Sequence, residues 1–477
     1  MKFSLIAPTL FVAGLSIAAP AHYFEQPTET PADREWQPAA PAFPPLEQIT
    51  ALPGQDRPVY GIYLWGSEYE RAYEEINKMG VKSLRISGPA YESDEALKIA
   101  ARNDVEVMYT VDNQCVWPEY RNKRKRPAFE SDEAYIESIK KTYAAFLDKY
   151  GPNGTLYEGA GLKSPISAIE ALNEPNYQYV IPDREPRAEV EAEREALYAK
   201  VLPAVAEVVR SHPNALPIVG FSCGGGGATH ADYRFVKGVY RDGGDAAISA
   251  SYDIFSTHPY THGAPPEGAK IKKWGPVDVP KNTQSMRKLL EEHGGLKPFW
   301  WTEVGYEISS EYGAQYPDKP KHQGTRMNPD EHAAYVIRTY LMAMRQNVER
   351  VFIMHLHDTD TYNGGLITRA EFEWRPVAYA IQNITTQMPN PKLTGAQSDG
   401  EDNTFIYEFI ADHKTSNATD TIVAWNVLGP KQVDIAVNTS GQVSIYDLVG
   451  NEKQLPVKNG KVSVEVGPYP IYIKTKS

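Results

Sequence analysis

The stretch Ser167-Ala168-Ile169-Glu170-Ala171-Leu172-Asn173-Glu174-Pro175-Asn176 reads as a short buried strand that runs out into polar residues and a proline turn. Glu170 and Glu174 stand four residues apart and so share one face of the strand. A second stretch, Trp300-Trp301-Thr302-Glu303-Val304-Gly305, has the same form, an apolar run with a glutamate at the junction of strand and loop. Two carboxylates at two strand ends need a scaffold that brings those ends together.

Working outward, apolar runs recur at 59–64, 83–86, 106–111, 167–172, 218–222, 254–257, 299–302 and 351–356. Helix-like stretches separate them, as at 68–78, 132–149, 188–210 and 329–346, supplying the crossovers that parallel strands require. Eight such alternations predict an α/β fold of the closed (β/α)8 barrel type, whereas a doubly wound sheet stops sooner. No Gly-x-Gly-x-x-Gly follows the first strand, which removes a dinucleotide site. Beyond a last helix at 378–387 the texture changes. Alternating runs at 421–427, 432–437, 443–447, 462–466 and 471–474, with Gly, Asn and Asp turns, predict a C-terminal antiparallel β-sandwich. That domain holds no cluster of acids and reads as an accessory unit.

The chain start has Lys2, an apolar run and Ala19-Pro20-Ala21, the layout of a secretory signal peptide, and implies a secreted, extracellular protein. The expected division is a signal peptide at 1–21, a Pro-rich leader at 22–57 that could add a strand to the sandwich, the catalytic barrel at 58–388 and the sandwich at 389–477. No later apolar run is long enough for membrane insertion. A net charge of −12 over 477 residues argues against a grip on nucleic acid, and the 30 tyrosines and 8 tryptophans offer stacking faces for neutral sugars. Oligomeric state is not legible.

Retaining cleavage of a glycosidic bond needs one carboxylic acid to protonate the leaving oxygen and one carboxylate to attack the anomeric carbon, about 5 Å apart. Active sites of this barrel lie at the C-terminal strand ends, where Glu174 and Glu303 fall. Asn173-Glu174-Pro175-Asn176 on strand four and Glu303 on strand seven resemble the retaining β-glycosidases of glycoside hydrolase clan A. With the C-terminal sandwich, the chain is particularly similar to family 39 and its neighbours. The resemblance spans most of the chain after Pro58. It implies that Glu174 is the acid/base, Asn173 the partner of the sugar 2-hydroxyl and Glu303 the nucleophile. Arg85 matches the clan arginine on strand two, and His258-Pro259-Tyr260 matches a strand-six histidine followed by a tyrosine that donates to the nucleophile. The clan tryptophan at the end of strand eight has no counterpart, and His355, His357 and Asp358 stand there instead.

Hydrolysis of a β-linked oligo- or polysaccharide without cofactor or metal is the function this implies, with transglycosylation open. Glu170, deeper in its strand, reads as a buried ion-pair member. Trp301 and Trp117 lie nearest the strand ends as stacking candidates, and His355 and His357 as sugar-binding groups. The alternatives are a non-catalytic carbohydrate-binding barrel and a metal-dependent hydrolase using His355 and His357, since neutral imidazoles suit zinc. The glycines at 224–227 lack the Lys-Ser/Thr of a phosphate loop and read as a loop lining the cleft. Cys115 and Cys223 fall beyond strands three and five, with strand four between them, which argues for two thiols rather than a bridge. Asn153, Asn383, Asn417 and Asn438 begin Asn-x-Ser/Thr triplets, the acceptors of glycan in a eukaryotic host.

Overall fold

The structure is a computed structural model and describes residues 59–64, 69–88, 93–111, 131–178, 187–225, 231–271, 275–294, 297–309, 327–359, 362–415 and 420–475, with 21–24, 26, 36–38 and 43. Trp117, Cys115, Asn417, most of the signal segment and Gly226-Gly227 lie outside these residues.

Eight strands, β1 (Tyr60–Leu64), β2 (Ser83–Ser87), β3 (Glu106–Val111), β4 (Ile166–Ala171), β5 (Ile218–Gly224), β6 (Ile254–His258), β7 (Phe299–Val304) and β8 (Arg350–Ile353), close into a parallel barrel in sequence order. The helices around it are α1 (Tyr69–Lys78), α2 (Asp94–Arg102), α3 (Asp132–Tyr150), α4 (Arg187–Ser211), α5 (Ala231–Gly243), α6 (Val279–His293), α7 (Pro329–Arg345) and α8 (Pro376–Gln387). Local chemistry sets their starts. Asn328 caps α7 through the N–H groups of Asp330 and Glu331, and the Glu331 side chain returns to the Asn328 N–H, a reciprocal box that fixes the first turn. Pro329 follows at a helix position where no N–H is missed.

Inside the barrel, Met108, Ala168, Val219, Ile254, Trp300 and Phe352 form one apolar layer. Gly61 belongs there because a Cβ at that position would stand 2.6 Å from the Phe352 ring. Two residues further along their strands, Thr110, Glu170, Ser256 and Thr302 are also fully buried, yet polar. The period of two keeps both sets facing inward.

The second domain follows α8. Strands β9 (Lys392–Asp399), β10 (Thr404–Ile410), β11 (Asp420–Asn426), β12 (Lys431–Ala436), β13 (Gln442–Tyr446), β14 (Glu452–Pro456), β15 (Lys461–Val466) and β16 (Ile471–Lys474) form a six-stranded antiparallel sheet, ordered β9-β10-β11-β16-β13-β14, and the pair β12-β15. The middle of the large sheet is buried on both faces, while its edge strands are half-exposed. Ile406, Ile422, Ile445 and Ile473 meet Val462, Val464 and Val466 of the pair, while Phe405, Tyr407, Phe409, Trp425 and Tyr472 join the barrel's core. Covered on both faces, β10 hides its alternation, and β9 is a mostly polar edge strand with no buried residue, so both escape the sequence pattern.

Arg338 of α7 makes a buried two-pronged pair with Glu267, at 2.7 and 2.6 Å, and the Trp425 indole donates to the same carboxylate at 2.8 Å. Asn383 of α8 donates to the Asp447 and Leu448 carbonyls across the junction. It is buried and its amide nitrogen is engaged, so it is no glycan acceptor in the folded protein, a correction to the sequence reading. Asn438 is exposed. The leader departs from expectation as well. Its strand, Trp36–Pro38, pairs antiparallel with Ala269–Ile271 in the segment after β6 rather than with the sandwich. Gln26 does reach the sandwich, exchanging hydrogen bonds with the Tyr469 backbone at 3.3 and 3.0 Å.

Candidate active site

The C-terminal end of the barrel gathers five strands around Arg85. From β2 its guanidinium donates to Glu170 of β4 at 3.0 and 2.7 Å, to Asn173 Oδ1 at 2.6 Å and to Glu303 of β7 at 2.6 Å. Arg85 and Glu170 are fully buried. An isolated charge there would cost several kcal/mol, so each needs the other and further partners. Thr110 and Ser222 supply them, donating to Glu170 at 2.6 and 2.8 Å. Burial pushes the Glu170 carboxyl up, but Arg85, His258 and the hydroxyls of Thr110 and Thr302 outweigh it and hold it below its ordinary range. The ring of Tyr63, at the end of β1, lies under the guanidinium, 4.6 Å from its centre, and its hydroxyl meets Ser87.

Glu303 is 13 % exposed. Its Oε2 takes Arg85 and its Oε1 takes the Tyr260 hydroxyl at 2.6 Å. Burial alone would raise its pKa. Instead the positive charges of His258 and Arg85 and the two hydrogen bonds bring it down to about 2. The half-buried Tyr260 phenol is pushed up, first by desolvation and then by Glu303, and so stays a donor at every ordinary pH.

Glu174 sits at the other wall, 20 % exposed. Its backbone is left-handed (φ 43°), as is that of Leu172 (φ 74°), and the facing end of β5 has Phe221 and Ser222 at φ 74° and 45°. Such positions are costly for non-glycine residues and persist only where the surroundings hold them. The Glu174 N–H donates to the Ser222 carbonyl at 3.1 Å, and Asn176 exchanges hydrogen bonds with Gly224 at 2.8 and 3.1 Å, clamping the two strand ends. Gly224 must lack a side chain, since a Cβ would stand 2.5 Å from Glu174 Oε1. His258 spans the floor, with Nδ1 3.1 Å from Glu174 Oε1 and Nε2 3.1 Å from Thr302 Oγ1.

One carboxylate oxygen of Glu174, one of Glu303 and a ring nitrogen of His258 lie within 4.8 Å of one another. That spacing could also suit a cation. Against it, both Glu303 oxygens are engaged and a guanidinium stands 2.6 Å away. The arrangement fits a carboxylate pair with one member held ionised.

The structure thus brings Arg85, Asn173, Glu174, His258, Tyr260 and Glu303 together. Three other residues fare differently. Trp301 points away from the cleft, 0 % exposed within the core between barrel and helices, because the inward face of β7 carries Trp300 and Thr302. It offers no stacking surface, which corrects the sequence reading. The eighth strand ends at Ile353, so His355 and His357 lie beyond it, and strand alternation no longer aligns them. His355 is buried against Tyr63 and Tyr362, its pKa lowered to about 3 chiefly by desolvation. His357 lies near Phe372, 6.3 Å between rings, with Nδ1 against the Asp358 carbonyl. Asp358 is held by Arg375 at 2.8 and 2.6 Å and by the Gly365 N–H, so the His-x-His-Asp motif does not converge on a metal. Cys223 is a free thiol, buried and pushed up by desolvation.

Sequence reasoning missed Tyr63, Thr110, Ser222, Thr302 and Asn176. Polar residues at inward positions one step above the apolar layer were the available signal.

No family model matches the chain, and no curated protein is similar enough in sequence to count as a relative. Solved structures share its fold. A family 39 glycoside hydrolase from the gut symbiont Bacteroides cellulosilyticus WH2 superposes with a TM-score of 0.63 at 20% identity, covering 88% of this chain and 82% of that one. The GH39 enzyme of Xanthomonas axonopodis pv. citri gives 0.54 at 11% identity, covering 91% and 97%. A GH39 β-xylosidase from Caulobacter crescentus gives 0.53 at 12%, covering 89% and 97%. The fold of this chain, a (β/α)8 barrel followed by an antiparallel sandwich, is therefore the fold of family 39 glycoside hydrolases.

Proposed function

We propose that this protein is a secreted, retaining glycoside hydrolase that cleaves β-linked oligo- or polysaccharides. The observation that carries the reading is the approach of Glu174 and Glu303 oxygens to within 4.8 Å, with Glu303 held ionised. Retaining enzymes keep their two carboxyl groups about 5 Å apart, whereas inverting ones leave room for a water between them. In the first step Glu174 gives its proton to the glycosidic oxygen, the bond from that oxygen to the anomeric carbon breaks, and Glu303 forms a bond to the same carbon. In the second, Glu174 takes a proton from water, which displaces Glu303 and restores the original configuration. A sugar hydroxyl in place of that water gives transglycosylation.

The attending groups fit these steps. Asn173 accepts from Arg85 through Oδ1, which leaves its NH2 to donate to a 2-hydroxyl. That bond strengthens as charge develops on the ring. Arg85 and Tyr260 stabilise Glu303 both as attacking and as departing carboxylate. No cofactor enters any step.

The test is a panel of aryl β-glycosides, β-xylosides included, and of β-linked oligosaccharides, with Glu303→Gln and Glu174→Ala beside the wild type. Glu174→Ala should lose substrates with poor leaving groups, keep activated aryl glycosides, and with added azide release a β-glycosyl azide. A wild type that binds these sugars and turns none over would make the barrel a binding protein. Loss of turnover on chelation of metals would make it a metal-dependent hydrolase.

A further inference from the structure

Tyr260 touches two acceptors with one hydrogen to give. Its hydroxyl lies 2.6 Å from Glu303 Oε1, and the same oxygen meets the thioether sulfur of Met354. A carboxylate accepts far more strongly than a thioether, so the hydrogen goes to Glu303 and the sulfur only packs against the phenol oxygen. Met354 is fixed in that place. It follows the last residue of β8, and its N–H donates at 2.9 Å to the carbonyl of Val304, the neighbour of Glu303 in β7. Gly305 leaves it room on that flank, since a Cβ there would stand 2.8 Å from the Met354 carbonyl oxygen.

Among the described residues every methionine is buried except Met344 and Met354, which are half-buried. Met344 packs on the core from α7, whereas Met354 is in contact with Tyr260. A half-buried thioether is open to peroxides, which pass one oxygen atom to sulfur. The sulfur lone pair attacks a peroxide oxygen, the O–O bond breaks as the S–O bond forms, and the other oxygen leaves as water. Sulfur is oxidised by two electrons and the peroxide is reduced by two. A strongly polar S–O group then stands where an apolar atom stood. Its oxygen competes with Glu303 for the single phenolic hydrogen, and Glu303 is left with Arg85 on its other oxygen.

We propose that Met354 is an oxidation site through which hydroperoxides lower the activity of this protein, by drawing the Tyr260 hydroxyl away from Glu303. The inference rests on the assignment of Glu303 as nucleophile. Loss of a donor to its charged form raises the Glu303 carboxyl from its low value, so its protonation begins at a higher pH. Met354 is thereby a positioning residue that acts through Tyr260.

The experiment exposes the whole wild-type protein, Met354→Leu and Tyr260→Phe to hydrogen peroxide. It reads the mass of the peptide that holds Met354 together with the pH profile of kcat/KM on an aryl β-glycoside. In the wild type that peptide should gain one oxygen atom, kcat/KM should fall about tenfold, and the acid limb should move upward to where Tyr260→Phe has it. Met354→Leu should keep its own starting value through the treatment, and Tyr260→Phe should gain the same oxygen without a further move of its limb. Reductases for the two sulfoxide epimers, with a dithiol, should return the wild type to its first rate. An unoxidised Met354, an oxidised wild type at full rate, an equal loss in Met354→Leu or a limb that moves in Tyr260→Phe would overturn the inference while leaving the glycosidase reading intact. A wild type inert before any peroxide is added would overturn that reading and this inference with it.

Discussion

Two layers of the same barrel interior lie one strand step apart and differ in every chemical respect. Met108, Ala168, Ile254 and Trp300 fill the lower layer. Thr110, Glu170, Ser256 and Thr302, each two residues further on, form the upper one, with Arg85 among them. Both are buried, so burial does not distinguish packing from chemistry. The lower layer is held by dispersion and the exclusion of water and tolerates any side chains of the right volume. The upper layer is held by hydrogen bonds to charges that have lost their hydration, where removing one partner strands the others.

The largest expected break in this comparison is Glu303→Gln, which keeps shape and loses charge. Turnover should fall about a thousandfold or more on every substrate. Full activity in that variant would remove the nucleophile assignment. Next comes Arg85→Met, which leaves Glu170 and Glu303 facing each other without their shared cation. Denaturant titration should show a loss of about 3–5 kcal/mol. Adding Glu170→Gln should restore part of that stability and none of the activity. If the single substitution cost nothing in stability, the upper layer would not be a charge network.

Trp300→Ala tests the lower layer, with an expected cost of about 3 kcal/mol from the cavity it leaves. Activity per folded molecule should stay as in wild type, since no group at Glu174 or Glu303 is touched. A change in pH profile instead would show that the layers are coupled. Smallest is Tyr260→Phe. Glu303 has a folded pKa depressed to about 2, so its ionised form is present above the ordinary carboxylate range and is lost only as pH falls towards that value. The acid limb of kcat/KM in wild type should therefore lie below about pH 4. Without the phenol it should move upward, and kcat/KM should fall about tenfold or more. An unmoved limb would mean that Tyr260 does not hold the carboxylate ionised.

How much of this was legible in the sequence follows the same division. The eight strands show because each is a short apolar run between helical stretches, and the site shows because glutamates interrupt two of those runs at their ends. Arg85, His258 and Tyr260 were found by resemblance to a known motif, and the distances between them are tertiary facts that no pattern states. Trp301 was misread because position near a strand end says nothing of facing, and Trp300 and Thr302 take the inward side. His355 and His357 were aligned by assuming that the last strand continued, whereas it stops at Ile353. Strand β10 was missed because it is covered on both sides and its inward and outward residues are nearly all apolar, and β9 because it is a mostly polar edge strand with no buried residue and so no apolar run to read.

The central claim is that Glu174 and Glu303 act by double displacement. Its most direct test is to follow hydrolysis of a β-glycoside accepted by the wild type by proton NMR, from the first turnover and before the sugar mutarotates. The β-anomer should form first and relax towards the equilibrium mixture. An α-anomer as the first product would mean a single inversion, and neither the nucleophilic role of Glu303 nor the double displacement would stand.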